Sequence, residues 1–172
     1  MTAPRLTVRA ALPGDGAAVF QWRNDPLTRA MSWQPEAVTQ ANHDIWFTNV
    51  LGSPRRHMMI AEMTAPAPVN DKRVGVLRFD STIEPQDFLP ASDNPAALSH
   101  QVSINLNPVW RGQGLGQNLL LTGCRAFRGH GHGGWLWAEI RRQNAASIKI
   151  FTAAGFACLA TDDDVLRFGR AD

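Results

Sequence analysis

A glycine-rich hexapeptide between a predicted strand and a predicted helix places the tightest limit on how this chain can fold. Residues Arg111-Gly-Gln-Gly-Leu-Gly116 follow an alternating segment, 101–106, that Pro108 closes, and they precede a helical apolar pattern over about 114–127. Three glycines in six residues let the backbone turn sharply and approach a ligand closely. The amides at the start of the helix then face that ligand, and the helix polarity favours an anion. The hexapeptide therefore predicts a backbone cradle for a diphosphate.

The spacing of these glycines excludes two familiar phosphate loops. No Gly-Lys-Ser/Thr follows, as a Walker loop requires, and G-x-G-x-G differs from the dinucleotide pattern G-x-G-x-x-G. A glycine-rich turn with a purely structural role is the alternative.

The order of the predicted elements indicates an α/β (α+β) fold, a mixed sheet with helices on its faces, in one domain over residues 1–172. The expected strands are 6–10, 57–62, 73–80, 101–106, 135–140, 156–160 and 165–168. The expected helices are about 15–25, 34–51, 114–127 and 144–154. Strands 57–62 and 73–80 are expected to form a hairpin, and 81–97 a long loop. The second helix is expected to have Pro35 in its first turn and to bury Val38, Ala41 and Ile45.

Charge and hydropathy exclude several function classes. Seventeen basic and fifteen acidic residues give a net charge of +2, too little for a strong field toward nucleic acid or a membrane. No apolar run approaches the roughly 18 residues of a membrane span, and the N-terminus lacks a signal-peptide pattern, so we expect a cytoplasmic protein. Cys124 and Cys158 are expected to be buried and reduced. His130 and His132 are expected in a flexible turn rather than at a metal.

A second motif lies about 30 residues after the first, with one predicted strand between them: Asn144-Ala-Ala-Ser-Ile-Lys-Ile-Phe-Thr-Ala-Ala-Gly-Phe156. Together the two segments resemble motifs A and B of the GCN5-related N-acetyltransferase (GNAT) superfamily, R-x-x-G-x-G/A and N-x-x-[AS]-x-x-[LI]-[YF]-x-x-x-G-F. The resemblance covers residues 5–168. It implies a splayed mixed sheet that binds acetyl-coenzyme A as co-substrate, without a metal.

The resemblance assigns the cofactor site residue by residue. Backbone amides of 112–117 would hold the diphosphate, and strand residues 104–106 would face the pantetheine, with the Leu106 amide polarising the acetyl carbonyl. A bulge would open this strand from the next one. Asn144 is also expected to cap its helix. The expected cofactor-binding residues are Ile104, Asn105, Leu106, Arg111, Gly112, Gln113, Gly114, Leu115, Gly116, Gln117, Asn144, Ser147 and Phe151.

Two positions bear on the chemistry. Glu139 matches the glutamate that removes the amine proton in Rim-type relatives, so it is the candidate general base; a salt bridge to Arg78, Arg141 or Arg142 is the alternative. Phe151 falls where many relatives have a tyrosine acid. The chain contains no tyrosine, so the leaving thiolate needs another donor, such as Ser103, Ser147 or water, or none.

The acceptor side shows three short motifs, Trp22-Arg-Asn-Asp25, His43-Asp-Ile-Trp-Phe47 and Gly75-Val-Leu-Arg-Phe-Asp80. They resemble the subgroup that acetylates amino groups of nucleotide-linked, pseudaminic-acid-type sugars. Aromatic rings would stack on the sugar or base, and Arg23, Arg29 or Arg78 would bind the diphosphate. The expected substrate-binding residues are Trp22, Arg23, His43, Trp46, Phe47 and Arg78. The alternative for each tryptophan alone is a core or rim aromatic.

The resulting hypothesis is an acetyl-CoA-dependent N-acetyltransferase that acts on a primary amine of a nucleotide-linked amino sugar, by direct attack in a ternary complex. One alternative is a Rim-like acetyltransferase of protein N-termini or another small amine. Another is a non-catalytic acetyl-CoA-binding module, which the missing tyrosine permits. The partner is expected to be a small molecule, and a homodimer is compatible with the sequence.

Overall fold

The computed structural model describes residues 6–64, 71–83, 86–90 and 98–171. Within these ranges the strands are β1 Leu6–Ala10, β2 Arg56–Met63, β3 Arg73–Thr82, β4 Ser99–Leu106, β5 Leu136–Arg141, β6 Ala157–Thr161 and β7 Val165–Arg170. The helices are α1 Gly16–Asn24, α2 Pro26–Met31, α3 Gln40–Leu51, α4 Leu115–Gly129 and α5 Ala145–Ala153. Residues 1–5, on which the signal-peptide prediction partly depends, and 84–85 and 91–97 of the predicted loop lie outside the described residues.

All of these strands join one mixed sheet in the order β1-β2-β3-β4-β5-β7-β6. β1 to β4 are antiparallel neighbours, and β2 and β3 form the predicted hairpin. β5, β7 and β6 form a second antiparallel group. The groups meet at β4 and β5, which run parallel and pair only at His100–Leu136 and Gln101–Trp137. The predicted mixed α+β architecture is confirmed.

β4 and β5 diverge directly after these two pairs. The register between β3 and β4 runs without a shift from Gly75–Leu106 to Thr82–Ser99, and that between β5 and β7 is equally continuous. The expected bulge in β4 is therefore absent from its pairing with β3. β4 stays paired with β3, and β5 stays paired with β7. The sheet therefore opens between β4 and β5.

The two faces of the sheet carry different helices. On the α4 face, Phe127 of α4 stacks on Phe79 of β3 with ring centroids 4.1 Å apart, and α5 packs beside α4. On the opposite face, which we call the α1 face, Phe47 and Val50 of α3 join a core cluster with Trp22 of α1. Because strand side chains alternate, each residue of β4 and β5 belongs to one face.

The segment between β1 and β2 differs from the prediction. α1 ends before Pro26 as expected, but Pro26 then begins a short helix, α2. The next helix starts at Gln40, with the Thr39 hydroxyl accepting from the Asn42 amide, and not at Pro35. Ile45 is 64% exposed, so the predicted apolar stripe is wrong.

Side chains of α1 and α2 explain why residues 34–38 are not helical. Arg23 donates to the Gln34 carbonyl at 2.7 Å, and Arg29 donates to the Pro35 carbonyl at 2.8 Å. Asn24 bonds both the amide and the carbonyl of Val38. These bonds occupy backbone groups that a helix would use internally.

Three further expectations concern the described ranges. No helix there is long and apolar enough to cross a membrane, and no three His, Cys, Asp or Glu side chains there are grouped to hold a metal ion. Cys124 is buried, and this burial raises the pKa of its thiol to about 11. Cys158 is exposed on the edge strand β6, so the expectation of a second buried thiol is wrong.

Candidate active site

The edge of β4 that faces β5 presents backbone amides to the gap in the sheet. The His100 amide donates to the carbonyl preceding β5 at 2.8 Å, and the Asn107 amide donates to a β3 carbonyl at 2.9 Å. Because amides alternate sides along a strand, the even-numbered amides of β4 point toward β5. The amides of Ile104 and Leu106 therefore face the gap, where β5 no longer pairs with β4.

The same alternation corrects the role expected for Asn105. Its amide points toward β3 rather than into the gap, and its side-chain oxygen accepts from the Thr28 hydroxyl at 3.1 Å. Of the three strand residues expected at the pantetheine, Ile104 and Leu106 have amides that face the gap.

The hexapeptide loop has the shape that a diphosphate requires. Gly112 and Gly114 have φ of 74° and 70°, a region that side-chain-bearing residues rarely adopt. Gly114 is the N-cap of α4 and no side chain caps this helix, so the first-turn amides are left for a ligand. The exposed loop and these amides fit the diphosphate of coenzyme A.

The remaining residues of the loop hold it against the protein. Leu115 is buried in the core of the α4 face. Gln113 donates to the Val109 carbonyl at 3.2 Å, and Gln117 donates to the Ala153 carbonyl at 2.7 Å. A Cβ at Gly116 would lie 2.4 Å from the Ile150 side chain, so glycine permits the close approach of α4 and α5.

Helix α5 forms one wall of the gap. The Asn144 side chain caps this helix by accepting from the Ser147 amide at 3.1 Å, as expected. Asn144, Ser147 and Phe151 line a cavity of about 160 Å³ together with Ser103 and Ile104 of β4. The buried ring of Phe151 packs edge-on against Phe156, and it offers the cavity no proton.

Glu139 lines the same cavity from β5. Its neighbours Ala138 and Ile140 belong to the core of the α4 face, so its carboxylate lies on the α1 face. Oε1 accepts from Arg167 Nε at 3.0 Å, and Arg167 stands directly opposite on β7. The ion pair anticipated as the alternative exists, but its partner is Arg167 and not Arg78, Arg141 or Arg142.

A second, open cavity of about 680 Å³ lies on the other side of Glu139. Residues of β6 and β7 and the segment around Phe88 surround it. Arg167 lies over the Phe88 ring with its guanidinium carbon 5.6 Å from the centroid. Glu139 thus lines both cavities.

Three residues expected to contact the acceptor are buried in the protein. Trp22 is 3% exposed and Phe47 5% exposed, both within the core of the α1 face. His43 is 1% exposed and stacks on Phe47, with Phe20 and Trp46 beside it. These placements correct the assignment to the substrate site, because a ligand has no access to rings that the core encloses.

The other three expected acceptor residues are partly buried and already engaged. Arg78 donates to Asp80 at 2.9 Å and lies over the Trp46 ring at 5.6 Å. Arg23 donates to the Gln34 carbonyl. Its burial and, to a smaller extent, the positive charge of Arg29 lower the pKa of its guanidinium. Neither Arg23 nor Arg78 contacts the cavity beside Glu139.

The Arg111 side chain is also placed differently from the prediction. Its guanidinium binds Asp25 at 2.6 Å and the Thr28 hydroxyl at 2.7 Å, next to α2. Its backbone begins the loop, but its side chain is directed to the α1 face.

Sequence reasoning missed several residues at the cavity. Met31 and Trp33, from the end of α2 and the segment after it, and Arg141 of β5 line it. Trp33 is 53% exposed, and the Arg141 guanidinium lies 5.9 Å from its ring centroid. The available signal was a tryptophan between the polar residues Ser32 and Gln34, outside any apolar periodicity.

The sequence model of the family described as the acetyltransferase (GNAT) domain matches residues 5–157. The chain belongs to the GNAT acetyltransferase family. As a GNAT enzyme it is an acetyl-CoA-dependent N-acetyltransferase, and the amides of β4 and the loop before α4 fit the donor that this family uses. No curated protein sequence matches the chain significantly.

Solved structures share the GNAT fold over nearly the whole chain. A candidate phosphinothricin N-acetyltransferase is 25% identical, with a TM-score of 0.70 over 97% of this chain and 98% of that chain. A candidate acetyltransferase of Salmonella typhimurium, solved with acetyl-CoA, is 23% identical, with a TM-score of 0.67 over 96% and 93%. An aminoglycoside acetyltransferase with coenzyme A and kanamycin is 17% identical, with a TM-score of 0.73 over 97% and 95%.

Proposed function

We propose that this enzyme acetylates a primary amine of a nucleotide-linked amino sugar, by direct attack within a ternary complex. The observation that carries the proposal is the half-exposed Trp33 ring at the cavity that Glu139 also lines. An apolar ring beside a carboxylate suits a sugar that carries an amino group, because the sugar's C–H face packs on the ring while the ammonium meets the anion.

Glu139 is the group that we propose removes the proton of the incoming amine. One carboxylate oxygen is held by Arg167, and Oε2 has no hydrogen bond within the described ranges. The ion pair thus fixes the orientation of the side chain and leaves an acceptor for an ammonium N–H. A positioned carboxylate of this kind contributes roughly 10²- to 10⁴-fold to a rate.

The edge of β4 supplies the complementary positive dipoles. Acetyl-CoA supplies the thioester whose carbonyl the amine attacks. The Leu106 amide points into the gap and is proposed to donate to the carbonyl oxygen, where negative charge develops. Glu139 lies on β5 and Leu106 on β4, the two strands that border the gap, so the proposed base and the proposed amide donor are on opposite sides of it.

Arg29 is the proposed contact for the diphosphate of the acceptor. Its Nε holds the Pro35 carbonyl, and its two terminal nitrogens have no partner among the described residues. Arg29 and Arg23 bind the carbonyls of two successive residues, Pro35 and Gln34. Two guanidinium groups beside the Trp33 segment would attract a diphosphate.

A second candidate is a Rim-like transferase of peptide N-termini. The observation that favours it is the open cavity of about 680 Å³, which Asp87 and Glu139 line with carboxylates. That cavity has room for an extended, positively charged peptide end. Mass spectrometry of protein N-termini after deletion of the gene tests this alternative.

A panel of acceptors with purified enzyme tests the first proposal. We expect the highest kcat/KM with an amino sugar linked to uridine diphosphate, above the free amino sugar, kanamycin and a peptide N-terminus. Trp33→Ala should raise the KM for that acceptor about tenfold, the loss of a stacked ring. Leu27→Ala, which truncates an equally exposed apolar side chain of α2, is the matched control. Preference for a peptide, or no turnover of any amino sugar, would contradict the proposal.

A further inference from the structure

The Arg111 side chain joins the cofactor loop to the first helices of the chain. Its two terminal nitrogens bind separate groups, Asp25 Oδ1 at 2.6 Å and Thr28 Oγ1 at 2.7 Å. Both partners lie more than 80 residues earlier in sequence. Only about a quarter of the Arg111 side chain and a fifth of the Asp25 side chain is exposed, so water screens the pair only in part.

Asp25 is the residue that starts α2. The same Oδ1 accepts from the amides of Leu27 and Thr28 at 3.1 and 3.0 Å. Partial burial on its own would raise the pKa of this carboxyl, but the bonds from Arg111 and these amides outweigh it and lower the pKa. The guanidinium therefore binds the N-terminal cap of α2 in its charged form.

Thr28 extends the contact to β4. Its hydroxyl accepts from Arg111 and donates its one proton to Asn105 Oδ1 at 3.1 Å. Asn105 stands between the two residues whose amides face the gap. The network of Arg111, Asp25, Thr28 and Asn105 thus ties the start of the loop, the start of α2 and the edge of β4 to one another.

The position of α2 matters because the cavity that Trp33 and Glu139 line begins where this helix ends. Met31 is its last residue, and Met31 and Trp33 line the cavity. α2 has only six residues and none of them is buried, so core packing does little to place it. The bonds from Arg111 to Asp25 and Thr28 hold its first turn. At its other end, Arg141 donates to the carbonyl of the C-cap residue Ser32 at 3.2 Å.

We propose that Arg111 is a positioning residue for the acceptor side: its guanidinium holds α2, and with it Met31 and Trp33, against the gap, and it does not bind the diphosphate. The proposal rests on the proposed function in that the acceptor binds beside Trp33. The family resemblance placed Arg111 at the cofactor. That assignment predicts weaker binding of coenzyme A when Arg111 is substituted, whereas this proposal predicts unchanged binding.

Hydrogen–deuterium exchange and coenzyme A titration together test the proposal without knowledge of the acceptor. In Arg111→Gln and in Thr28→Val, the amides of residues 28–31 should exchange at least fivefold faster. Thr28→Ser keeps the hydroxyl and should restore the original exchange. The Kd for coenzyme A, measured by calorimetry, should change less than threefold in all three variants. Arg9→Gln breaks an ion pair with Asp15, the residue that precedes α1, and should leave the exchange of α2 unchanged.

Steady-state kinetics give a second readout once an acceptor is available. Arg111→Gln and Thr28→Val should each raise the acceptor KM about tenfold, the scale of one charge-assisted hydrogen bond, and lower kcat less than threefold. The double variant should be no worse than Arg111→Gln, because both changes break one network.

Two results overturn the proposal. One is a coenzyme A Kd raised tenfold or more in Arg111→Gln, which assigns the guanidinium to the cofactor. The other is unchanged exchange of residues 28–31 in both variants, which shows that α2 does not depend on Arg111. Neither result involves the identity of the acceptor, so the failure of this proposal is distinguishable from that of the proposed function.

Discussion

The two sides of the gap between β4 and β5 are built from different parts of the chain. On the cofactor side the proposed functional groups are backbone amides, at Ile104 and Leu106 and at the start of α4. On the acceptor side the proposed groups are side chains that line the cavity, among them Glu139, Trp33 and Arg141. Backbone amides are positioned by local conformation, whereas these side chains meet only after distant segments pack.

This difference determines how each side responds to substitution. A backbone site is damaged by changes that alter φ and ψ, and most side-chain changes leave its donors in place. A side-chain site is damaged by single truncations that leave the fold intact. Substitutions that separate acetyl-CoA affinity from acceptor turnover therefore test the comparison directly.

The largest effect is expected from Glu139→Gln. Loss of the proposed base should lower kcat/KM about 100-fold or more, with the Kd for coenzyme A unchanged because no cradle amide is altered. Stopped assays of product formation and calorimetry measure the two quantities. Glu62→Gln removes a similar carboxylate on β2, which pairs with Arg9 of β1, and should keep full activity. If Glu139→Gln weakened coenzyme A binding as much as it lowered kcat/KM, the two sides of the gap would not be separable.

The next effect is expected on the cofactor side, from Gly114→Ala. An L-residue at positive φ costs about 1–2 kcal/mol, so the loop relaxes and the Kd for coenzyme A should rise roughly tenfold. Gly131→Ala is the control, because Gly131 has a φ of 87° and equal space for a Cβ in the turn after α4. It should lose similar stability and keep its affinity. Equal affinity loss in both variants would attribute the effect to general destabilisation.

A third prediction contrasts buried histidines on the two faces. His43 on the α1 face has no hydrogen bond at either ring nitrogen among the described residues, whereas His100 bonds Ser81 and the Gly133 carbonyl. His43→Leu should therefore change the free energy of unfolding by less than about 1 kcal/mol at pH 7. His100→Leu should lower the free energy of unfolding by about 2 kcal/mol or more, since it leaves the Ser81 hydroxyl and the Gly133 carbonyl without their hydrogen-bond partner. Urea unfolding measures both changes. If His43→Leu raised the acceptor KM, His43 would have to be assigned to the substrate site after all.

The same histidines predict how stability depends on pH. Burial lowers the pKa of both rings, so the unfolded chain, in which histidine titrates near about 6.5, binds protons first as the pH falls. Stability should be nearly constant between pH 8 and pH 7 and fall as the pH drops below about 6.5. Urea unfolding between pH 8 and 5 measures this slope, which His43→Leu should reduce. A slope unchanged by His43→Leu would contradict the contribution of that ring.

The smallest effect is expected from Phe151→Tyr. Coenzyme A leaves as a thiolate whose free pKa is near about 8.5, so a phenol adds little and kcat should change less than threefold. Ser147→Ala and Ser103→Ala test the two hydroxyls of the cavity in the same assay. A tenfold gain in kcat in Phe151→Tyr would show that leaving-group protonation limits this enzyme.

The secondary structure was predictable wherever one segment carried its own signal. The alternation of 101–106 and the helix after Gly114 match β4 and α4 closely. The region between β1 and β2 was not predictable in this way, because Arg23, Asn24 and Arg29 bind the backbone of residues 34–38 and keep it out of a helix. Those bonds join side chains of one segment to the backbone of another, which no local periodicity reports.

The sequence by itself determined the cofactor loop, because positive φ at Gly112 and Gly114 and the uncapped start of α4 are local properties of a few residues. Only the tertiary structure decided the acceptor side. It placed Trp22 and His43 in the core and Trp33 at the cavity, it paired Glu139 with Arg167 through the register of β5 and β7, and it turned Arg111 toward α2. The physical reason is that side-chain burial and pairing depend on which distant strands and helices come into contact, whereas a glycine turn depends on its own torsion angles.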